Sequence, residues 1–195
     1  MREGAKLKVF AGMGRTSLFV DIEEISLRKK INTKNSIRFG AEVEFVLPYY
    51  KLKKFYPSLF INPMYSRYKA STERNIIVNS TVLSVRSVNV NYTLLDLMIG
   101  GRYYYKASEN IRIYIELGVA VPILIDLDIT VTQGSLVEQE EGASKGAFLF
   151  GGGIVFKDKV GLSIRNFFTR NFSNRTKRGN IDHKTIDFLI SVKLN

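Results

Sequence analysis

The chain has 195 residues, 45% of them hydrophobic, and carries 29 lysines and arginines against 18 aspartates and glutamates, for a net charge of +11. That length suits one domain, and no Pro/Gly/Ser-rich linker divides it, so residues 1–195 are read as a single domain. With no cysteine, disulfides and thiolate metal sites are excluded; no apolar run is long enough for a transmembrane helix, which leaves a membrane barrel open because half of every barrel strand is polar.

In chain order, apolar side chains recur at every second position. Leu7, Val9, Ala11 and Met13 do so near the start. Ile37, Phe39, Ala41, Val43, Phe45 and Leu47 then share one face, with Arg38, Gly40, Glu42, Glu44 and Val46 on the other. Leu59, Ile61, Pro63 and Tyr65 follow more weakly. Leu95, Leu97, Ile99, Gly101, Tyr103 and Tyr105 oppose Leu94, Asp96, Met98, Gly100, Arg102 and Tyr104. The longest case is IRIYIELGVAVPILIDLDITV, Ile111 to Val131, purely aliphatic on one face and charged by Arg112, Glu116, Asp126 and Asp128 on the other. Phe148 to Phe156 is apolar on both faces and broken by Gly151, Gly152 and Gly153. Val160, Leu162 and Ile164 alternate, as do Ile186, Phe188, Ile190, Val192 and Leu194 against Asp187, Leu189, Ser191 and Lys193. A period of two is that of a strand, whose side chains alternate between faces. A helix would scatter the charges around its circumference.

Eight strands are predicted, over about 6–19, 36–48, 57–71, 87–105, 110–132, 146–157, 159–172 and 184–194. The connections alternate in length: DIEEISLRKKINTKN, TERNIIVNSTVLSVR, TQGSLVEQEEGASK and SNRTKRGNID are long, whereas YYKLKKFY, KASEN and KDK are shorter. An even number of strands with alternating long and short connections describes an all-β, antiparallel up-and-down barrel.

Periodicity does not say which face lines the barrel. A membrane barrel turns the aliphatic face outward, and a soluble lipocalin-like barrel turns it inward around an apolar ligand. Three features favour the first. The polar face mixes charges with very small residues (Gly40, Gly100, Gly118, Ala120, Gly161), as a narrow lumen requires. Its charges nearly balance, with Lys8, Arg38, Arg102, Arg112, Arg165 and Lys193 against Glu42, Glu44, Asp96, Glu116, Asp126, Asp128 and Asp187, so that buried charges find partners. The aliphatic face is also too long for a small-ligand cavity. Tyr49, Tyr50, Phe55, Tyr56, Tyr103, Tyr104 and Tyr105 gather near predicted turns, where they read either as an interfacial girdle or as plain strand propensity.

The segments KLKVFAGMGRTSL, IRFGAEVEFVLPYYKLKKFYPSLFINPMYSRYKA, YTLLDLMIGGRYYY with NIRIYIELGVAV, GAFLFGGGIVFKDKVGLSIRNFFTRNF and TIDFLISVKLN together resemble the eight-stranded outer-membrane β-barrel domain family of Gram-negative envelopes. The resemblance covers nearly the whole chain and implies an outer-membrane location, without a single function. Two features depart from it. MREGAKLKVF does not read as a cleavable leader, so either a leader has been removed or the protein is not exported. The chain ends Lys193-Leu194-Asn195 where the family has a terminal aromatic.

No catalytic, cofactor or metal site is expected. His183, the only histidine, lies in a predicted loop beside Asp182; a lipid-cleaving barrel enzyme would pair it with a serine, yet Ser173 and Ser191 are distant in sequence. Glu42 and Glu44 read as partners for Arg38, Arg102 or Arg112 rather than as an acid/base pair. Asp126 and Asp128 with Glu138, Glu140 and Glu141 match no defined calcium loop. Gly151-Gly152-Gly153 lacks the Lys-Ser/Thr of a phosphate loop and reads as close strand packing. The basic runs Arg28-Lys29-Lys30, Lys51-Leu52-Lys53-Lys54 and Arg175-Thr176-Lys177-Arg178 fall in connections; they are solvated, or they attract lipid phosphates or acidic polysaccharide. Nucleic acid is not expected, because the aromatics lie among aliphatics.

The sequence thus leads to a small non-enzymatic outer-membrane barrel, in contact with membrane lipid and structural or surface-binding through its loops. Its lumen is expected to be closed by Arg38, Glu42, Glu44, Asp96, Arg102, Arg112, Glu116, Arg165 and Asp187. The alternative is the soluble barrel, and the direction of Ile113, Ile115 and Leu117 discriminates them.

Overall fold

The computed structural model describes residues 5–22, 27–32, 36–47, 54–78, 81–133, 136–139, 142–144, 146–174 and 180–194, with side chains over 5–17, 36–47, 54–69, 71, 91–126, 146–168 and 184–194. Its strands are β1 (Ala5–Ile22), β2 (Leu27–Asn32), β3 (Ser36–Val46), β4 (Phe55–Val78), β5 (Thr81–Lys106), β6 (Ile111–Gln133), β7 (Leu136–Gln139), β8 (Gly142–Ser144), β9 (Ala147–Phe156), β10 (Val160–Asn174) and β11 (Asn180–Lys193). Eight of them form a ring in the order β1-β3-β4-β5-β6-β9-β10-β11. It closes where β11 pairs with β1, and every pairing is antiparallel. Closure leaves the ring without an unpaired edge.

The direction of β6 decides which face is inside. Leu117 is 61% exposed and its neighbour Glu116 only 1%. Ile113, Ile115, Val119, Val121 and Ile123 point outward with Leu117, while Arg112, Tyr114 and Ala120 are buried. The same division holds on β3, β9 and β11, whose exposed residues include Phe39, Phe148, Phe188 and Ile190. The soluble alternative required the reverse and is overturned. The interior of the eight-stranded ring is filled by the charged and aromatic side chains, and the long aliphatic face is external.

One end of the barrel carries the short connections: residues 107–110 between β5 and β6, residues 157–159 between β9 and β10, and the link from β3 to β4. The start of β1 and the end of β11 lie at this turn end. At the opposite end the strands continue further than the sequence suggests. TERNIIVNSTVLSVR, expected as a loop, is mostly strand. β4 runs to Val78, β5 resumes at Thr81, and the two pair from Phe55↔Tyr105 to Val78↔Thr81. Ile76, Ile77, Val82, Val85 and Val88 are β-branched and favour this state. Of the other long connections, DIEEISLRKKINTKN contains β2 and TQGSLVEQEEGASK contains β7 and β8, paired with β1, β6 and β10 respectively. His183 is a strand residue of β11, opposite Leu18 and Arg170, and not a loop residue.

Candidate functional site: the charged lumen

The inward side chains form layers. At the turn end β9 and β10 are joined by Lys157 and Asp158, both left-handed with φ of 48° and 57°. Two such residues make the primed hairpin turn, usually Asn-Gly; an aspartate tolerates the conformation better than most residues. The Lys159 amide closes the turn on the Phe156 carbonyl at 2.9 Å, and the Lys157 amide donates to Asn110 at 2.7 Å. Asp158 thereby faces the barrel mouth and accepts from Lys6 Nζ at 2.8 Å, Arg112 Nη1 at 2.5 Å and Lys193 Nζ at 3.2 Å. Burial pushes its carboxyl up, but the Lys6 hydrogen bond and the charges of Lys6, Arg112 and Lys193 outweigh that and hold it below its ordinary 3.8.

Deeper in, Lys8 Nζ donates to Glu44 at 2.5 Å and lies 3.4 Å from Glu42, while the Ser58 hydroxyl donates to Glu44 at 2.6 Å. Beside them Tyr104 stacks on Tyr56 with centroids 4.9 Å apart and tilts against Tyr114 at 5.1 Å. The next layer is a ring of two arginines and two glutamates. Arg102 binds Glu42 through both Nη atoms, Nη2 at 2.6 Å, and Glu116 through Nε at 2.8 Å. Arg165 binds Glu116 through Nε at 2.7 Å and Glu42 through Nη2 at 3.2 Å. All four side chains are essentially inaccessible. Formal charge cancels within the ring, as burial of ions demands. Phe60 lies beneath both guanidinium groups, 4.4 Å from that of Arg102 and 5.7 Å from that of Arg165.

An apolar layer follows, built from Phe10, Phe60, Met64, Met98, Leu149, Phe167 and Leu189 with smaller neighbours. Along β4 it separates Ser58, which touches Glu44, from Ser66, which pairs in register with Arg38. Beyond it Arg38 Nε donates to Asp187 at 2.9 Å, both side chains fully buried. The Arg38 guanidinium lies 4.2 Å from the Tyr68 ring, which stacks on Tyr92 at 4.3 Å. Asp96 is fully buried, and its charge acts on Arg38.

Glycines make the room. A Cβ on Gly14 would collide with Asp187 Oδ1 and stand 2.7 Å from Arg38 Nη2. A Cβ on Gly151 would stand 2.8 Å from Glu116 Oε1 and 2.6 Å from the Ile164 carbonyl. The glycine run of β9 thus accommodates the ring of charges as well as close strands.

All nine residues singled out from the sequence are buried. Glu42, Glu44, Arg102, Glu116 and Arg165 meet in one cluster together with Lys8. Arg38 and Asp187 meet in another, across the apolar layer. Arg112 joins neither, because Asp158 captures it at the turn end. Asp158 was not singled out because a turn residue belongs to no strand face and periodicity carries no signal for it; Lys6, on β1, was not singled out either, although it shares a strand face with Lys8. The apolar layer was also missed, its members being scattered over six strands. The expected tyrosine cluster is split by strand alternation. Phe55, Tyr103 and Tyr105 lie outside, with Phe55 against Tyr103 at 6.1 Å and Tyr105 at 4.9 Å, whereas Tyr56 and Tyr104 are in the lumen. Tyr49 and Tyr50 lie outside the described residues.

Asp126, counted on the polar face, is exposed; a register shift between Thr93 and Leu94 interrupts the alternation there. The side chains of Asp128, Glu138 and His183, and residues 140 and 141, lie outside the described residues. Among the described residues no group of acidic or histidine side chains is disposed to hold a metal ion. Arg28-Lys29-Lys30 falls in β2. Residues 51–53 and 175–178 lie outside the described residues.

No protein-family model matches the chain, and no curated protein matches it. Solved structures do. The outer membrane protease OmpT from Escherichia coli aligns with a TM-score of 0.52 at 6% identity, covering 97% of each chain. Neisserial surface protein A aligns at 0.49 and 14% identity, over 98% of this chain and all of that one. Ail, the attachment invasion locus protein of Yersinia pestis, aligns at 0.45 and 10%, over 99% and 100%. At such identities the likeness is one of fold alone. The closed antiparallel ring and its apolar exterior, with the OmpT alignment, define the class: the chain has the fold of an outer-membrane β-barrel.

Proposed function

We propose that the protein is a small, non-enzymatic barrel of the outer membrane, its lumen closed by the charge clusters and its role structural or surface-binding through the long end. One observation carries this reading: among the described residues an exposed apolar face surrounds a fully buried Arg102–Glu42–Arg165–Glu116 ring. In water the first would aggregate; against lipid it is the normal exterior. The ring and the apolar layer fill the lumen and leave no wide diffusion path. At the long end β2 includes the run Arg28-Lys29-Lys30, and the chain adds Arg175-Thr176-Lys177-Arg178 before β11, a composition suited to lipid phosphates or acidic polysaccharide.

Refolding from urea with and without detergent micelles tests the reading. A β-type circular dichroism spectrum and a band that shifts on boiling, both only with micelles, are expected. A monodisperse β-protein without detergent would overturn it.

A further inference from the structure

The turn end carries an exposed cationic rim that the lumen network does not use. Lys54, Lys106, Lys157 and Lys159 are exposed there, against one exposed acid, Glu109, among the described residues. Asp158, the other acid at this rim, is already bound to Lys6, Arg112 and Lys193. The backbone carrying the rim is hydrogen-bonded. The Lys106 amide donates to the Lys54 carbonyl at 2.8 Å, and Lys157 and Lys159 stand on either side of Asp158 in the tight turn. Directly beside it, on the outer wall, stand Phe55, Tyr103 and Tyr105, and Lys54 Nζ lies 4.9 Å over the Tyr105 ring.

Outward aromatics settle at the depth of lipid headgroups, and lysines next to them extend their ammonium groups into that layer. Short turns face the periplasm in barrels of this kind, so the adjoining headgroups belong to the periplasmic leaflet. We infer that Lys54, Lys106, Lys157 and Lys159 form a collar that binds the phosphates of anionic phospholipids around the turn end of the barrel. The collar rests on the membrane reading above. Its net positive charge matches phosphatidylglycerol-type headgroups, and the aromatic trio fixes the depth at which they meet.

The experiment compares the protein with a variant carrying Lys54→Gln, Lys106→Gln, Lys157→Gln and Lys159→Gln, and with a control carrying Arg28→Gln, Lys29→Gln and Lys30→Gln at the opposite end. Each is refolded into phosphatidylcholine vesicles containing one-fifth phosphatidylglycerol. Spin-labelled lipids report which headgroup is immobilised at the barrel surface. The wild type and the control should prefer phosphatidylglycerol about threefold or more at low salt, the preference collapsing in high salt; the fourfold variant, showing the same heat-shifted band, should show none. Equal selectivity in wild type and fourfold variant overturns the collar while the band upholds the membrane barrel. Selectivity lost only in the control also overturns it. So does unaltered lipid selectivity with lost retention on purified peptidoglycan, which assigns the collar to that polymer. Absence of a heat-shifted band in every protein overturns the membrane reading and the collar with it.

Discussion

Removing the guanidinium of Arg102 would leave three buried carboxylates, Glu42, Glu44 and Glu116, with only Arg165 and Lys8 as counter-ions. Breaking a buried pair by deleting one partner costs about 3–5 kcal/mol, so Arg102→Met should lower stability by that order in detergent unfolding; unchanged stability would show the ring to be dispensable. Gly14→Val tests the room around Arg38 and Asp187. Its side chain has no space beside them, and forcing it in should cost about 1–3 kcal/mol or more and reduce the yield of heat-shifted barrel. Asp158 makes a pH prediction. Its folded value lies below its ordinary 3.8, so its contribution is fully present above that value and is lost as pH falls through the lowered one. Between about pH 5 and pH 2 the wild type should therefore lose more stability than Asp158→Asn. Parallel unfolding curves for the two over that range would refute it.

The elements differ in how much of them the membrane needs. β5 has 26 residues, roughly 85 Å at about 3.3 Å each, whereas a tilted spanning strand needs about 9–11 residues. Much of the β4–β5 hairpin thus lies beyond the lipid. Replacing residues 72–86 by a short Asn-Gly turn should leave the heat-shifted band and the β spectrum intact, because the lumen clusters lie below that point. Loss of refolding would mean that the projecting hairpin nucleates the barrel. Of this hairpin only residues 72–86 read as a loop in the sequence, between strands at about 57–71 and 87–105. The signal that it contained was compositional, in Ile76, Ile77, Val82, Val85 and Val88, and backbone pairing from Thr72↔Val88 to Val78↔Thr81 holds it in strand form.

For the whole molecule the lumen is the deciding feature. Two charged clusters and the apolar layer between them occupy the interior in series. Planar-bilayer recordings should show no resolved conductance steps, and steady openings would refute a closed lumen. Most of this architecture was legible in residue order. The period of two over Ile111 to Val131 settled strand against helix, and the alternation of long and short connections settled an antiparallel up-and-down barrel, because both are properties of the local backbone. The candidate charges were legible by face, since alternation forces Arg38, Glu42, Glu44, Arg102, Glu116 and Arg165 to one side. What only the tertiary structure decided is which face is inside and who meets whom. Those depend on closure of the sheet and on the stagger between neighbouring strands. That stagger brings Glu42 to Arg102, sends Arg38 to Asp187, and places Asp158 beneath Lys6, Arg112 and Lys193, residues more than forty positions from one another in every case but the last.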